Sequence, residues 1–374
     1  MNPFSYGGVV IGNNFFDRVD EIQQLKTDLK NGNNVILYAP RKYGKTSLVN
    51  KVLNELEKEN YNTIYLDIFN VIDKNKFVEL YAKKLLKKKK LSLEEAIKSF
   101  KKFVKNISPT VKFDNLGNPS FEFSVNASES ISSFEEIVNL PEKWGNKKDR
   151  WIVVFDEFQE INKLNGDNFE KELRSLVQFH QNVTYLFLGS KTHLLLNMFR
   201  DKSRAFYNIG KFIKLDKISV KDNAKFIRSR FKKFHIEISD QMINNILQTT
   251  ERIPFYVQFL CSEIWQNIID GKKVVNLKVM DKAIDGIISS QSDYYLELYD
   301  KLSKYQKKVL LAITESGQEV YSKKYSDKFG LSSTSSTQRA VNKLLDEGII
   351  EKENNELRFS DPFFKRYIQW RFKT

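Results

Sequence analysis

Residues 34–47 read NVILYAPRKYGKTS. The first five form a short apolar, β-like run, and a helical pattern opens at Lys45 and continues to about Glu59. Between them, residues 39–46 (APRKYGKT) fit the template G-x-x-x-x-G-K-[ST] at every defined position but the first, where Ala39 stands for glycine. Such a loop binds phosphate because its successive N–H groups form an anion nest and the helix it opens adds the positive end of its dipole. Gly44 allows the backbone close to a phosphate, Lys45 pairs with the β- and γ-phosphates, and Thr46 offers its hydroxyl to Mg2+. Pro40, Arg41, Lys42, Tyr43 and Ser47 complete the expected cradle. Ala39 weakens the match, because alanine tolerates a positive φ less well than glycine.

A second element lies about 110 residues further on. Residues 150–155 (RWIVVF) are an uninterrupted apolar run, as expected of a strand buried on both faces, and they end in Asp156 and Glu157. Ligands of open α/β sheets bind at the carboxyl ends of the strands. Asp156 is therefore the candidate for the magnesium shell, and Glu157 for orienting or deprotonating an attacking water. The next apolar run, 183–188 (VTYLFL), ends in Gly189, Ser190 and Lys191. Ser190 is either a contact to the γ-phosphate or water, or an ordinary strand-to-loop turn.

Residues 63–69 and 212–215 are further strands, separated by helical stretches. This alternation predicts βαβ units and a mostly parallel sheet. Residues 107–130 differ: TVKFD and SFEFSV flank Gly117, Asn118 and Pro119, the signature of a β-hairpin inserted between helices. Residues 219–289 are helical without a convincing strand. From about residue 300 the order is helix, Gly317, short helix, Gly330, a helix over the TSSTQRAVNKLLDE segment, Gly348, and two short strands around Asn354 and Asn355. That order predicts a winged helix-turn-helix, with Ser335, Ser336, Gln338, Arg339 and Lys343 on the recognition helix. The aromatic tail (Phe363, Phe364, Tyr367, Trp370, Phe372) is expected to pack across the wing rather than stack on bases.

Composition bounds the functional class. The 374 residues include 29 Phe and 16 Tyr, enough for a sizeable core. One cysteine excludes a disulfide framework, and three scattered histidines make no zinc cluster. No apolar stretch is long enough to span a bilayer and no signal peptide is evident, so the expected location is the cytoplasm, without membrane insertion. Lys and Arg number 61 against 47 Asp and Glu, a formal charge of +14 that favours polyanionic partners. Ten lysines and two glutamates fall between residues 83 and 105. This basic helix is either a solvated face or a contact to a nucleic-acid backbone.

These motifs together resemble the prokaryotic ATPases of the AAA+/STAND branch, particularly the archaeal-type ATPase family, over roughly residues 12–370. FDRVDE (16–21) resembles the box before the first helix that flanks the adenine pocket, which implies roles for Phe16 and Arg18. APRKYGKTSL, VVFDEFQEI and LFLGS resemble the phosphate loop, the second acidic motif and the sensor strand. Arg204 resembles the arginine before the last strand; it is either a contact to phosphate charge in a neighbouring copy, which the resemblance supports, or a surface salt bridge. Pro254 resembles the helical-domain proline near the base, although Arg252 stands where the family usually has glycine. The resemblance implies an α/β P-loop NTPase core with a five-stranded parallel sheet, in which one strand separates the phosphate-loop strand from the acidic strand. It also implies a helical lid and ATP–Mg2+ hydrolysis coupled to conformational change.

The expected organisation is an ATPase core over residues 1–216, a lid over 217–296 and a winged helix over 297–374. The expected function is a Mg-dependent ATPase, slow without a partner, acting as a nucleotide-driven switch. ATP or ADP and Mg2+ are its cofactors, and a protein partner or a homo-oligomer is expected. The alternative is a DNA-binding regulator whose nucleotide is mainly structural, using the winged helix and the basic helix 83–105.

Overall fold

The computed structural model describes residues 2–372 apart from 11, 13–14, 89–92, 105–106, 114–118, 126–129, 148, 165–166 and 269–272. The chain forms two compact units. One comprises Arg18–Ala39 and Leu48–Leu215; the other comprises Met1–Asp17, Pro40–Ser47 and Asp216–Thr374.

The first unit contains strands β1 (Val35–Tyr38), β2 (Asn62–Asp67), β3 (Ile107–Phe113), β4 (Pro119–Val125), β5 (Trp151–Asp156), β6 (Val183–Gly189) and β7 (Lys211–Lys214). Five of them form a parallel sheet in the order β2-β5-β6-β1-β7. One strand, β6, thus separates β1 from β5, as the family resemblance implies. β5 and β6 are buried along their whole length, which accounts for their largely apolar sequence. Their aromatic residues stack with the helices above. Phe155 contacts Phe77, Tyr81, Phe158 and Phe187, with ring centroids 5.9–6.1 Å apart. Each fully buried Phe contributes about 1.5–3 kcal/mol. The register pairs Asp67 with Asp156 and Tyr38 with Gly189, so the ends of β2, β5, β6 and β1 share one edge.

β3 and β4 pair antiparallel from Ile107–Val125 to Phe113–Pro119, which is the expected hairpin; its connecting residues 114–118 lie outside the described residues. Two local expectations change. The strand expected over 63–69 ends at Asp67, whose carboxylate accepts the Phe69 N–H and turns the chain into a short 3-10 helix, Ile68–Asn70. The helix expected after the hairpin is two helices, Ser130–Val138 and Leu140–Trp144, the second having a proline in its first turn. In the lysine-rich segment, Lys83 pairs with Glu79 and Lys88 with Glu57, while residues 89–92 are outside the described residues.

In the second unit, the helices Val220–Lys232, Asp240–Thr249 and Leu277–Ser290 are N-capped by the side chains of Ser219, Ser239 and Asn276. Between the last two lies Pro254–Asn267, which begins on its proline. Helix Ser292–Asp300 leads to Lys304–Glu315, opened by a Ser303–Gln306 capping box. Then come Lys323–Phe329, which closes on Gly330 at φ 60°, and Thr334–Asp346. Strands β8 (Ile350–Glu353) and β9 (Glu356–Phe359) form the wing. Asn354 and Asn355 both take positive φ (48° and 66°), as a two-residue hairpin of this hand requires. Gly317 lies against the wing: the Leu357 N–H donates to its carbonyl at 2.9 Å, and a Cβ there would meet the Leu357 carbonyl oxygen at 1.7 Å. The aromatic tail is the helix Pro362–Phe372. Phe364 packs on Phe359 of the wing and on Tyr295, and Phe372 stacks on Tyr299, while Trp370 is exposed.

Candidate functional site

The loop that leaves β1 begins at buried Ala39, whose φ is not positive. The substitution at the first template position therefore carries no backbone strain. The left-handed residues of the loop are instead Lys42 (φ 69°) and Gly44 (φ 87°). Nothing lies within 4 Å of a Cβ built on Gly44, so the loop presents open backbone at the position expected to approach phosphate. The Lys45 ammonium is buried and donates to the Pro40 carbonyl at 2.9 Å, folded back over the loop. Ser47 is buried and its Oγ accepts the Val10 N–H at 2.9 Å. Thr46 is half-buried and Arg41 exposed.

The other loop residues face the C-terminal part of the same unit. Lys42 donates to the Tyr256 hydroxyl at 2.5 Å and lies 3.7 Å from the Asp361 carboxylate. Its ammonium also sits over the rings of Tyr256 and Phe255, 4.3 and 4.8 Å from their centroids. The Phe255 N–H, one residue after Pro254, donates to the Lys42 carbonyl at 3.3 Å. Buried Tyr43 donates its hydroxyl to Glu351 of β8 at 3.0 Å. Glu351 also faces Lys217, Glu353 and Glu251; burial pushes its carboxyl up to about 7, although the Tyr43 hydroxyl and Lys217 oppose that rise. Phe16 stacks on Phe226 with ring centroids 3.7 Å apart.

At the carboxyl edge of the sheet, Glu157 has a left-handed backbone (φ 50°). Its Oε2 accepts the Ser190 N–H at 3.1 Å, the Ser190 hydroxyl at 2.8 Å and the Gln159 amide at 2.6 Å. Two of the expected residues, Glu157 and Ser190, are thus joined. The carboxylate of buried Asp156 accepts the Tyr65 hydroxyl and, at 2.8 Å, the Glu157 N–H. Burial, reinforced by Glu157, raises the carboxyl of Asp67 above its usual range. Arg18 is buried, has φ 71° and pairs with Glu21 at 2.7 Å. Arg204 is held by buried Glu170 and by Asn162.

The family described as "ATPase domain predominantly from Archaea" matches residues 15–260. The chain belongs to that family. A second family, described as "Probable winged helix domain", matches residues 293–370 of this archaeal-type ATPase. Its relatives include the uncharacterized ATP-binding protein MJ1010 of Methanocaldococcus jannaschii, 23% identical over 292 residues that span 73% of this chain and 72% of the relative. Among solved structures, the Walker-type ATPase PABY2304 of Pyrococcus abyssi superposes with a TM-score of 0.68 at 17% identity, covering 98% of this chain and 99% of that one. The Aeropyrum pernix ORC1 protein, solved in complex with DNA, gives 0.53 at 13% identity over 97% and 96%. At such identities these likenesses show the fold alone.

The archaeal-type ATPase also has residues at these positions that no sequence motif marks. Tyr65 and Asp67 share the alternating face of β2, which would have marked them once β2 was known to neighbour β5. Gln159 lies in the DEFQ stretch, whose motif gives it no role of its own. Glu351 and Asp361 had no sequence signal, because they meet the loop from more than 300 residues away. Among the described residues no helix is long and apolar enough to cross a membrane.

Proposed function

We propose that this ATPase is a magnesium-dependent, nucleotide-driven switch whose phosphate loop is read by its winged helix. The observation that carries the reading is the double tie from consecutive loop residues to the C-terminal elements, Tyr43 to Glu351 and Lys42 to Asp361. A loop that only bound phosphate would not need buried or charged contacts to a wing. A loop that changes shape on gripping a triphosphate would pull on them.

In this reading Lys45 exchanges its bond to the Pro40 carbonyl for the β- and γ-phosphates. Pro40, Arg41, Lys42, Tyr43 and Gly44 present the loop, while Phe16, Arg18 and Pro254 border the base. Glu157 holds and orients the attacking water and takes its proton, with Ser190 and Gln159 fixing the carboxylate. Thr46 and Asp156 carry the metal donors. A hydroxyl and a buried carboxylate are the oxygen ligands Mg2+ prefers, and magnesium usually takes only one or two carboxylates beside phosphates and water. When bound, the ion supplies charge neutralisation at the phosphates. We assign the core to residues 1–216, the lid to 217–296 and the winged helix to 297–374, in a cytoplasmic protein that hydrolyses ATP slowly until a partner or a second copy engages it.

A second reading, a DNA-binding regulator with structural nucleotide, is favoured by the recognition helix. Ser335, Gln338, Arg339 and Lys343 are exposed along Thr334–Asp346. The two separate in one experiment. ATP and ADP are titrated calorimetrically, with Mg2+, into wild type, Lys45→Ala and Glu157→Gln; duplex binding is then measured at several salt concentrations with each nucleotide. The switch requires binding that Lys45→Ala abolishes and turnover that Glu157→Gln abolishes while ATP stays bound. Salt-sensitive DNA binding indifferent to nucleotide supports the second reading. No uptake of either nucleotide by folded protein refutes both.

A further inference from the structure

We infer that the cleft between the helices of residues 220–252 and the winged helix is a second ligand site, for a small molecule with an anionic head. Its volume is about 480 Å³, within the size range of small-molecule pockets, and no phosphate-loop residue lines it.

Four cations line the cleft: Lys217, Arg252, Arg358 and Lys365. Two are already neutralised. Lys217 pairs with Glu353 at 3.0 Å and Glu251 at 3.9 Å, and Arg358 with Glu353 at 2.8 Å and Glu356 at 2.5 Å. These pairs use two of the three carboxylates that line the cleft; the third, Glu315, lies 3.9 Å from Lys328. Arg252 and Lys365 line the same cleft and have no ion-pair partner among the described residues, so these two cations are the ones left to meet an anion, in a lining of four cations and three carboxylates. Gln248 and Ser316 add neutral donors, and Leu247, Ile313 and Phe359 give an apolar wall. An anionic head on a short apolar body matches that lining.

The backbone supplies a separate argument. Arg252 follows Glu251 in the left-handed region, at φ 59° and 50°. Glycine takes such a position freely, whereas a residue with a Cβ is strained there. The chain accepts the strain and places a guanidinium on the cleft wall. Strain kept at a position where the side chain makes no ion pair points to a use for that side chain. A guanidinium fork suits a phosphate monoester or a carboxylate equally, and the experiment tells them apart.

Phenyl phosphate and benzoate are titrated separately into the full-length protein and into Arg252→Gly, Lys365→Gln and Lys45→Ala, with binding followed by calorimetry. At least one probe is expected to bind wild type in the millimolar range or better. Arg252→Gly and Lys365→Gln should each weaken it about tenfold, the loss of one charge-assisted hydrogen bond. Lys45→Ala should leave it unchanged, which separates this site from the phosphate loop. Binding of phenyl phosphate alone assigns a phosphate monoester, and of benzoate alone a carboxylate. Glycine relaxes the backbone at 252, so the thermal midpoint of Arg252→Gly should equal or exceed that of wild type. If it falls, Lys365→Gln decides. The proposal is overturned if neither probe binds, if both cleft variants bind as wild type does, or if Lys45→Ala abolishes binding.

Discussion

Tyr43, in the loop that leaves the first strand of the sheet, donates its hydroxyl to Glu351 on the first strand of the wing, 3.0 Å away. Tyr43 is buried and Glu351 half-buried, so solvent competes for the bond from one side only. Removing the hydroxyl in Tyr43→Phe leaves the Glu351 carboxyl without this donor, a loss of about 1–3 kcal/mol. If the wing restrains the loop, that energy appears in the nucleotide cycle. ADP release measured by stopped-flow fluorescence should accelerate about fivefold or more, and the thermal midpoint should fall. A lowered midpoint with unchanged ADP release would make the bond structural only.

The same carboxyl predicts a pH dependence. Its folded value is pushed up to about 7 from an ordinary 4.5, with Tyr43, Lys217, Glu353 and Glu251 around it. The folded state therefore binds more protons than the unfolded state between these values. Stability from this group is full below about 4.5 and is lost as pH rises through about 7. His180 tilts the profile oppositely: burial pushes its imidazole down to about 4 between Tyr185 and Asn139, so folding is favoured as pH rises towards its ordinary 6.5. The informative quantity is thus the difference between wild type and Glu351→Gln in urea unfolding at pH 5 and pH 8. Glu351→Gln should lose less stability across that interval than wild type. Equal losses would mean that Glu351 does not titrate there.

Glu157 is gripped through one oxygen by Ser190 and Gln159, which leaves its orientation dependent on neighbours rather than on its own strained backbone. Glu157→Gln should reduce steady-state phosphate release by about 10²–10⁴, the usual contribution of a general base, with ATP affinity kept. Ser190→Ala should lower kcat by less, about tenfold, since the Gln159 amide and the backbone N–H remain. A rise in KM with kcat unchanged in Ser190→Ala would instead assign the hydroxyl to ground-state nucleotide binding.

How far these residues could be read in advance follows from where their information lies. β5 and β6 are largely apolar because both faces are buried, so their extents and the acidic pair at the end of β5 were legible. The phosphate loop was legible for a different reason: its φ requirements restrict the residues allowed. The doubt over Ala39 rested on assigning a left-handed backbone to the wrong residue; Lys42 carries it. Tyr65 was hidden because its partner, Asp156, is supplied by strand order, which no local pattern encodes. Glu351 and Asp361 looked like ordinary surface carboxylates of a wing and a helix start. Only the packing of distant segments gives them neighbours.

Arg204 shows how such packing reshapes a functional expectation. The family resemblance implies that it reaches phosphate charge in a neighbouring copy, yet its guanidinium is bound to Glu170, whose side chain is 2% exposed, and to Asn162. Withdrawing it would leave a buried carboxylate unpaired, a penalty of about 3–5 kcal/mol. A neighbour's phosphate would have to offset all of that. Arg204→Ala should therefore lower unfolding stability by about that amount, and adding Glu170→Gln should recover much of the loss by removing the stranded charge. A finger makes a different forecast. Arg204→Ala would keep its stability, and mixing it with Glu157→Gln, each inactive alone, would restore turnover in shared sites. Measuring urea unfolding and phosphate release on the same preparations separates the two, and the pairing with Glu170 predicts the first outcome.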